Sequence, residues 1–361
     1  MKIEVYSPTI RRKEMNAVLT AMVEDKIGPG EQARLLIQTA REKIKFDYCL
    51  ALRSPALALY LSLKSMGLEK GQGVILSALS PLYYERVIAD LELVPFYCDV
   101  FPSTVCINRQ TVENVLSSNP NSNIRCIVLH HTLGYLSDVI AIAELGLPVI
   151  EDCSQSYGTT FAAEPESDTS ENVVSMANIT ILGLEERDML TSGGGALLYS
   201  SNRRDSQARR DAAVLRSLES LPPEYGLPDM NAALAEVQFK EAAKNLLKCR
   251  EIAGLYTQSA LRTRHKRFVQ YDVQNRAVDY NDYAFPLILE TGLKDVKAYA
   301  RRKDIVVENA FENTLVGCGV VPPELCPEAY SLSLRTVLFP IYPRLSMTDA
   351  GKVAKLIQTL P

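Results

Sequence analysis

Residues 149–158, VIEDCSQSYG, set two carboxylates, Glu151 and Asp152, at the abrupt end of an apolar run. That is the profile of a buried parallel strand whose carboxyl end opens into a cleft, where open α/β sheets bind their ligands. An acid there is costly unless something cationic faces it, so the stretch asks which cation Asp152 meets. The plain alternative is that acids commonly end strands and meet only solvent or a helix terminus. Other chemistry-bearing types are sparse. The eight cysteines are scattered with no C-x-x-C pair, and the neighbours His130 and His131 would point to opposite faces of a strand. No metal centre is expected. Gly193-Gly194-Gly195 reads as a tight strand entry more than as a ligand cradle.

The elements that must position these residues follow from hydrophobic patterning. The first fifty residues are helical in pattern, broken by Gly-Pro-Gly at 28–30. Another helix starts at Ser54, a good N-cap, with Pro55 at its first position and Gly67 closing it. Strand-length apolar runs then alternate with helical or irregular segments at 73–80, 94–100, 125–132, 147–152, 178–183 and 194–200. Near-continuous apolar strands of this kind indicate a sheet covered on both faces. A long helix follows over 229–261, then short strands (YAFPLIL, DIVVEN, VLFPIY) mixed with helices. The expected organisation is a large α/β domain over 1–245 and a small C-terminal α+β domain over 246–361. The polar stretch at 164–172 reads as a mobile loop.

Bulk properties narrow the partners. The 361 residues are 47% hydrophobic and 23% charged with a formal charge of −4, which suits a globular chain and argues against a general nucleic-acid binder. Arg203-Arg204 and Arg209-Arg210 sit among acids and read as solvated helix faces. The start MKIEVYSPTIRRKE has no apolar h-region, and no run approaches membrane-spanning length. A cytoplasmic protein with reduced thiols and no membrane partner is expected.

Seven segments in order carry a resemblance: KGQGVILSALSP, FYCDVFPSTVCINRQTVE, IVLHHTLGYLSD, LPVIEDCSQSYG, TSGGGALLYS, LPDMNAALAEVQF and VLFPIYPRLSMTDAGKV. From about Ser7 to Ile357 the chain resembles the sugar aminotransferases of the DegT/DnrJ/StrS type, enzymes of fold type I dependent on pyridoxal phosphate (PLP). The resemblance implies a mainly parallel central sheet in a large domain, a smaller C-terminal domain and a homodimer. It also implies that Asp152 is the acid facing the cofactor's pyridinium nitrogen, with Gln155 against the ring and His131 in the same pocket.

The pattern departs where the chemistry is most demanding. The family lysine, which holds the cofactor aldehyde as a Schiff base, aligns with Arg187, and the preceding Ser-Phe pair with Leu182 and Gly183. No lysine occurs between Lys70 and Lys240. A guanidinium stays protonated and is no nucleophile at neutral pH. The phosphate-binding Gly-Thr becomes Pro55-Ala56, with Ser54 beside it, and a cross-dimer Asn becomes Glu224. Hydrogen bonds to a charged group contribute roughly 1.5–3 kcal/mol each, so three losses weaken phosphate binding by about 4–9 kcal/mol.

These departures lead to the expectation of a degenerate family member, a non-catalytic binding or partner protein in nucleotide-sugar or polysaccharide metabolism. Its pocket (Asp152, Gln155, His131, Arg187, Ser54, Ala56) would be vestigial, with Arg187 itself as the cation facing Asp152. No bound cofactor is expected, or PLP or pyridoxamine phosphate (PMP) held weakly. A nucleotide sugar and an active paralogue are the candidate partners. The alternative is an enzyme on a nucleotide-linked keto-sugar, either a transaminase or a PMP-type dehydratase.

Overall fold

The computed structural model describes residues 2–161, 177, 179–201, 215, 221–270 and 277–361. The stretch 164–172 and the paired arginines at 203–204 and 209–210 lie outside them. In chain order the strands are β1 Phe46–Leu52, β2 Gly73–Ser77, β3 Val94–Cys98, β4 Ile124–His130, β5 Val149–Asp152, β6 Thr160–Phe161, β7 Ile179–Gly183, β8 Ala196–Ser201, β9 Val278–Asp279, β10 Phe285–Ile288, β11 Glu308–Asn309 and β12 Thr336–Phe339. Seven form the main sheet in the order β1-β8-β7-β5-β4-β2-β3. Pairing is parallel from β3 through β7, and β8 runs antiparallel to both β7 and β1.

All six apolar runs become strands of this sheet. The helical expectation for the first fifty residues needs correction, because FDYCLAL is strand β1. The helix Glu31–Ile44 ends at Lys45, which takes a left-handed φ of 58°, and β1 then pairs with β8. Pairing across about 150 residues decides that segment, and local pattern cannot show it.

Helix Pro55–Ser65 begins as its residues dictate: the Ser54 hydroxyl accepts from the Leu57 N–H at 3.2 Å, and Pro55 occupies the first helical position. Its side chains Ala58, Leu59, Leu61 and Leu63 are buried with β2, β4 and β5 in the largest apolar core. The helix Asp229–Ala260 is 32 residues long. Its first half buries Ala232, Ala235 and Phe239 against Leu182, Leu197 and Tyr199 of the main sheet. Its second half buries Ile252, Ala253 and Tyr256 against the three-stranded sheet β10-β12-β11. The division expected at 245/246 falls inside this continuous helix. Among the described residues no helix is long and apolar enough to cross a membrane. All eight cysteines are free thiols, and only Cys318 is exposed.

Candidate active site

The carboxyl ends of β4 and β5 lie side by side, with His130 in register with Asp152. Above them is a cavity of about 480 Å³. Its walls come from the main-sheet side (Leu79, His130, Gln155), from the turn carrying Arg187 and Asp188, and from the small-sheet side (Tyr283, Glu308). A pocket of that size, at the strand ends of a parallel sheet, falls in the range of small-molecule sites.

Asp152 is 1% exposed and its carboxylate is fully engaged. Oδ1 accepts from the Ser154 N–H at 2.9 Å and the Ser154 hydroxyl at 2.5 Å. Oδ2 accepts from the Tyr84 hydroxyl at 2.6 Å and the Tyr83 hydroxyl at 3.2 Å. Burial, followed by the Asp152 charge, pushes both phenols well above their ordinary range, so they remain donors. Four donors, none of them cationic, therefore face the Asp152 carboxylate.

Arg187 is not among them, which corrects the expected Asp152–Arg187 pair. Its guanidinium makes two bonds to Glu308, Nη1 to Oε2 at 2.7 Å and Nη2 to Oε1 at 3.3 Å, and lies 5.9 Å from the Tyr6 ring centroid. The Glu308 contact raises its already high pKa. The backbone explains the direction: the turn at Glu185–Asp188 leaves the side chain half-exposed and facing β11. The carbonyl of Arg187 accepts from the Tyr283 hydroxyl at 2.8 Å, which ties the turn to the small-sheet side.

The other expected site residues separate into two groups. Gln155 lines the cavity, its Oε1 accepting from the Leu133 N–H at 2.7 Å. His131 does not line it. Its Nδ1 accepts from the Ser137 N–H at 3.3 Å, and Nε2 meets Glu151 Oε1 at 2.8 Å with both side chains fully buried. Glu151 Oε2 accepts from the Ala177 N–H at 2.7 Å. His131, Glu151 and Cys153 offer ligand atoms within 4.8 Å of one another, but these bonds already satisfy the histidine and the acid. His130, not His131, faces the cavity, and burial pushes its imidazole down to about 4.

Ser54 and Ala56 are spent on the start and packing of helix Pro55–Ser65 and do not line the cavity. Leu182 points into the core beside Leu197. Glu224 is exposed, and its carbonyl accepts from Arg53.

Sequence reasoning missed Asp188, Tyr84 and Glu308. Asp188 directly follows Arg187, and nothing in the local sequence marks it as a cavity group. Its Oδ2 accepts from the Glu185 N–H at 2.7 Å. Burial first, with the charges of Asp152 and Glu185 added, pushes its carboxyl up to about 7.

Comparison with known proteins agrees with the fold. The model of the DegT/DnrJ/EryC1/StrS aminotransferase family matches residues 8–358. Among curated relatives, an L-glutamine:2-deoxy-scyllo-inosose aminotransferase of Streptomyces lividus is 25% identical over 246 residues, covering 66% of this chain and 55% of that protein. One of the same description from Streptomyces fradiae is 27% identical over 178 residues, covering 48% and 37%. The chain thus spans about half the length of the relatives it matches, or less. Solved structures share the fold at low identity. The aminotransferase TlmJ of Streptoalloteichus hindustanus superposes with a TM-score of 0.83 at 19% identity, covering 99% of this chain and 98% of that one. Spr1654 of Streptococcus pneumoniae in its PMP-form gives 0.85 at 16%, covering 100% and 98%. Streptomyces venezuelae DesV with a ketimine intermediate gives 0.79 at 17%, covering 96% and 93%.

These findings overturn the expectation that no cofactor is bound, because they set the chain among aminotransferases that include cofactor-bound members. The residues present fit the ring of that cofactor at most and not its phosphate, since Ser54, Ala56 and Leu182 are all off the cavity lining. Gln155 offers a side chain at the cavity wall, whereas Asp152 lies behind the lining and would meet a ring nitrogen only by giving up a tyrosine hydroxyl. The amine form brings its own nitrogen and needs no lysine. Covalent attachment of the aldehyde form does not fit, since residue 187 offers only a guanidinium.

Proposed function

We propose that this chain, which belongs to the DegT/DnrJ/EryC1/StrS aminotransferase family, works on a polyhydroxylated ring ketone with the amine form of the cofactor held non-covalently. The observation that carries this reading is position 187. Its side chain pairs with Glu308 and offers no amine, while the carboxylate of Asp152 and the cavity at the strand ends persist. When bound, the cofactor supplies an electron sink for a carbon that loses a proton.

The chain's own residues would do the rest. Asp152, fixed by Ser154, Tyr83 and Tyr84, orients the ring end. The acids at the wall (Asp188, Glu308, Glu312) outnumber Arg187, so the cavity favours hydroxyl-rich or amine-bearing groups of a substrate and would hold the cofactor's phosphate only weakly. The relatives named for 2-deoxy-scyllo-inosose support a ring ketone of that kind. The Arg187–Glu308 contact spans the turn and β11, closing the wall between the two sheets.

A second reading, a non-catalytic family member, is favoured by the saturation of Asp152. Its four hydrogen bonds leave the ring-nitrogen position already served by tyrosines. Absorbance titration with PMP and, separately, PLP, followed by dialysis, distinguishes the two. The enzyme reading expects saturable, retained PMP and no PLP that borohydride can fix to the chain. Absence of binding at millimolar cofactor would favour the non-catalytic member, and borohydride-fixed PLP on the wild-type chain would overturn the lysine-free reading.

A further inference from the structure

We propose that the cavity recognises an unphosphorylated, polyhydroxylated ring bearing an ammonium group, with Glu312 meeting the ammonium and His130 a ring hydroxyl. The inference rests on the reading above only in taking this cavity as the substrate site. No cofactor enters it.

The polar groups of the wall divide into those engaged within the protein and those left over. On the small-sheet side Glu308 pairs with Arg187 at 2.7 Å. Asn309 donates through Nδ2 to the Ser333 carbonyl at 2.7 Å, and its Oδ1 accepts from the Phe311 N–H at 2.9 Å. The Thr314 hydroxyl donates to the Phe311 carbonyl at 2.8 Å. Glu312 lines the cavity between these engaged residues, and among the described residues no cation meets its carboxylate.

The backbone that presents Glu312 is tied at both ends. The Ala310 N–H donates to the Thr336 carbonyl of β12 at 3.0 Å. The N–H groups of Leu315 and Val316 donate to the carbonyls of Ser80 and Ala78, just past β2, at 3.0 and 3.1 Å. Gly317 lets this turn close, since a Cβ there would lie 1.8 Å from the Phe311 carbonyl oxygen. The segment thus reaches from the small sheet to the main sheet and fixes where Glu312 meets the cavity.

At the strand ends opposite, His130 lines the cavity and is 4% exposed. Its Nδ1 meets the Thr132 hydroxyl at 3.3 Å, and among the described residues no protein group meets Nε2. A polar atom on a side chain so deeply buried is costly without a partner, which points to a ligand. A hydroxyl suits the imidazole in either tautomer, because it both donates and accepts. Gln155 adds a donor on the same side. Its Oε1 accepts from the Leu133 N–H, which leaves the amide nitrogen for a ligand.

Charge then selects among polyols. Arg187 and Glu308 cancel as a pair. Burial pushes the His130 imidazole down to about 4, so it adds no positive charge at neutral pH. Asp188, pushed up to about 7 by burial, contributes part of a negative charge. With Glu312 the wall is net negative, which attracts an ammonium and repels a phosphate. A nucleotide-linked sugar, with its diphosphate, is disfavoured on the same ground.

The test titrates the full chain as purified, at about pH 6.5, with glucosamine, glucose and glucose 6-phosphate, followed by ligand-observed NMR. These probes share a ring and differ in charge. Glucosamine should bind saturably in the millimolar range and about fivefold to tenfold more tightly than glucose, with glucose 6-phosphate weakest. Glu312→Gln keeps the size and loses the charge. It should bring glucosamine down to the level of glucose and leave glucose within about twofold. His130→Phe keeps a ring against Tyr84, whose centroid lies 6.2 Å from the imidazole, and removes both nitrogens. It should weaken glucosamine and glucose alike by about threefold to tenfold. Wild-type affinity for both sugars in a folded His130→Phe overturns the role of His130. Three outcomes overturn the proposal as a whole: no saturable glucosamine binding up to about 50 mM, a wild type that does not prefer glucosamine, or a preference that survives Glu312→Gln. The two readings fail separately. Loss of PMP retention with the glucosamine preference intact overturns the cofactor-dependent reading and supports this one, whereas retained PMP without that preference overturns this one alone.

Discussion

At position 187 a planar, delocalised guanidinium stands where the family keeps an amine, and its packing shows how little the fold depends on that choice. The Arg187–Glu308 pair is partly exposed, 53% and 30% at the two side chains, and exposed pairs of this kind contribute about 0–1 kcal/mol. Arg187→Lys should therefore cost little stability. Lysine is a flexible point charge that cannot reproduce two-point contact with a carboxylate, so it would spend part of its time free of Glu308. Added PLP is then expected to become fixed to the variant by borohydride, giving one labelled peptide containing residue 187 by mass spectrometry. An unlabelled Arg187→Lys that still unfolds like the wild type would show that side chains at 187 do not reach a bound aldehyde.

At the scale of elements, the sequence made much of the sheet legible and little of what crosses it. Apolar runs at strand length located six strands of the main sheet, because burial on both faces leaves an unbroken signal. β1 escaped because FDYCLAL mixes polar and apolar types and follows directly on a helix, and its identity comes from pairing with β8. The site divides in the same way. Asp152, Gln155 and Arg187 were found by strand ends and motif order, whereas Tyr84 reaches Asp152 across 68 positions and Glu308 reaches Arg187 across 121. No local pattern reports such contacts. Another of this kind joins two helices. Gly30 has no side chain to cap the helix Glu31–Ile44, and Asp229, opening the 32-residue helix, supplies the acceptor instead. Its Oδ1 takes the N–H of Gly30 at 2.9 Å and of Ala33 at 3.0 Å, with the residue 2% exposed. Asp229→Ala should cost about 1–2 kcal/mol in chemical unfolding, with Asp229→Asn losing less because its amide oxygen still accepts. Equal losses in the two variants would mean that charge, not capping, is what this aspartate contributes.

For the molecule as a whole, the cavity is walled by Leu79, Leu133 and Phe311 of the largest apolar core, and a site there tends to hold groups that the fold would be more stable without. The pH dependence of stability makes that visible. His130 has a folded pKa of about 4 against an ordinary 6.5, so the unfolded chain binds its proton more readily and stability falls as pH drops from about 6.5 to about 4. Asp188 works in the opposite sense. Its folded pKa of about 7 lies above the ordinary 3.8, so its contribution is fully present below 3.8 and is lost as pH rises through about 7. Asp282, raised to about 6, behaves like Asp188, but it is common to wild type and variant and cancels between them. Asp188→Asn removes only the loss belonging to Asp188. The stability of the variant relative to wild type should therefore grow between pH 5 and pH 7 and stay level above. At about 1.4 kcal/mol per unit, the change is up to about 3 kcal/mol. Urea unfolding of both proteins at pH 5 and pH 8 measures it directly. A difference between them that does not change with pH would mean the Asp188 carboxyl titrates like a surface acid.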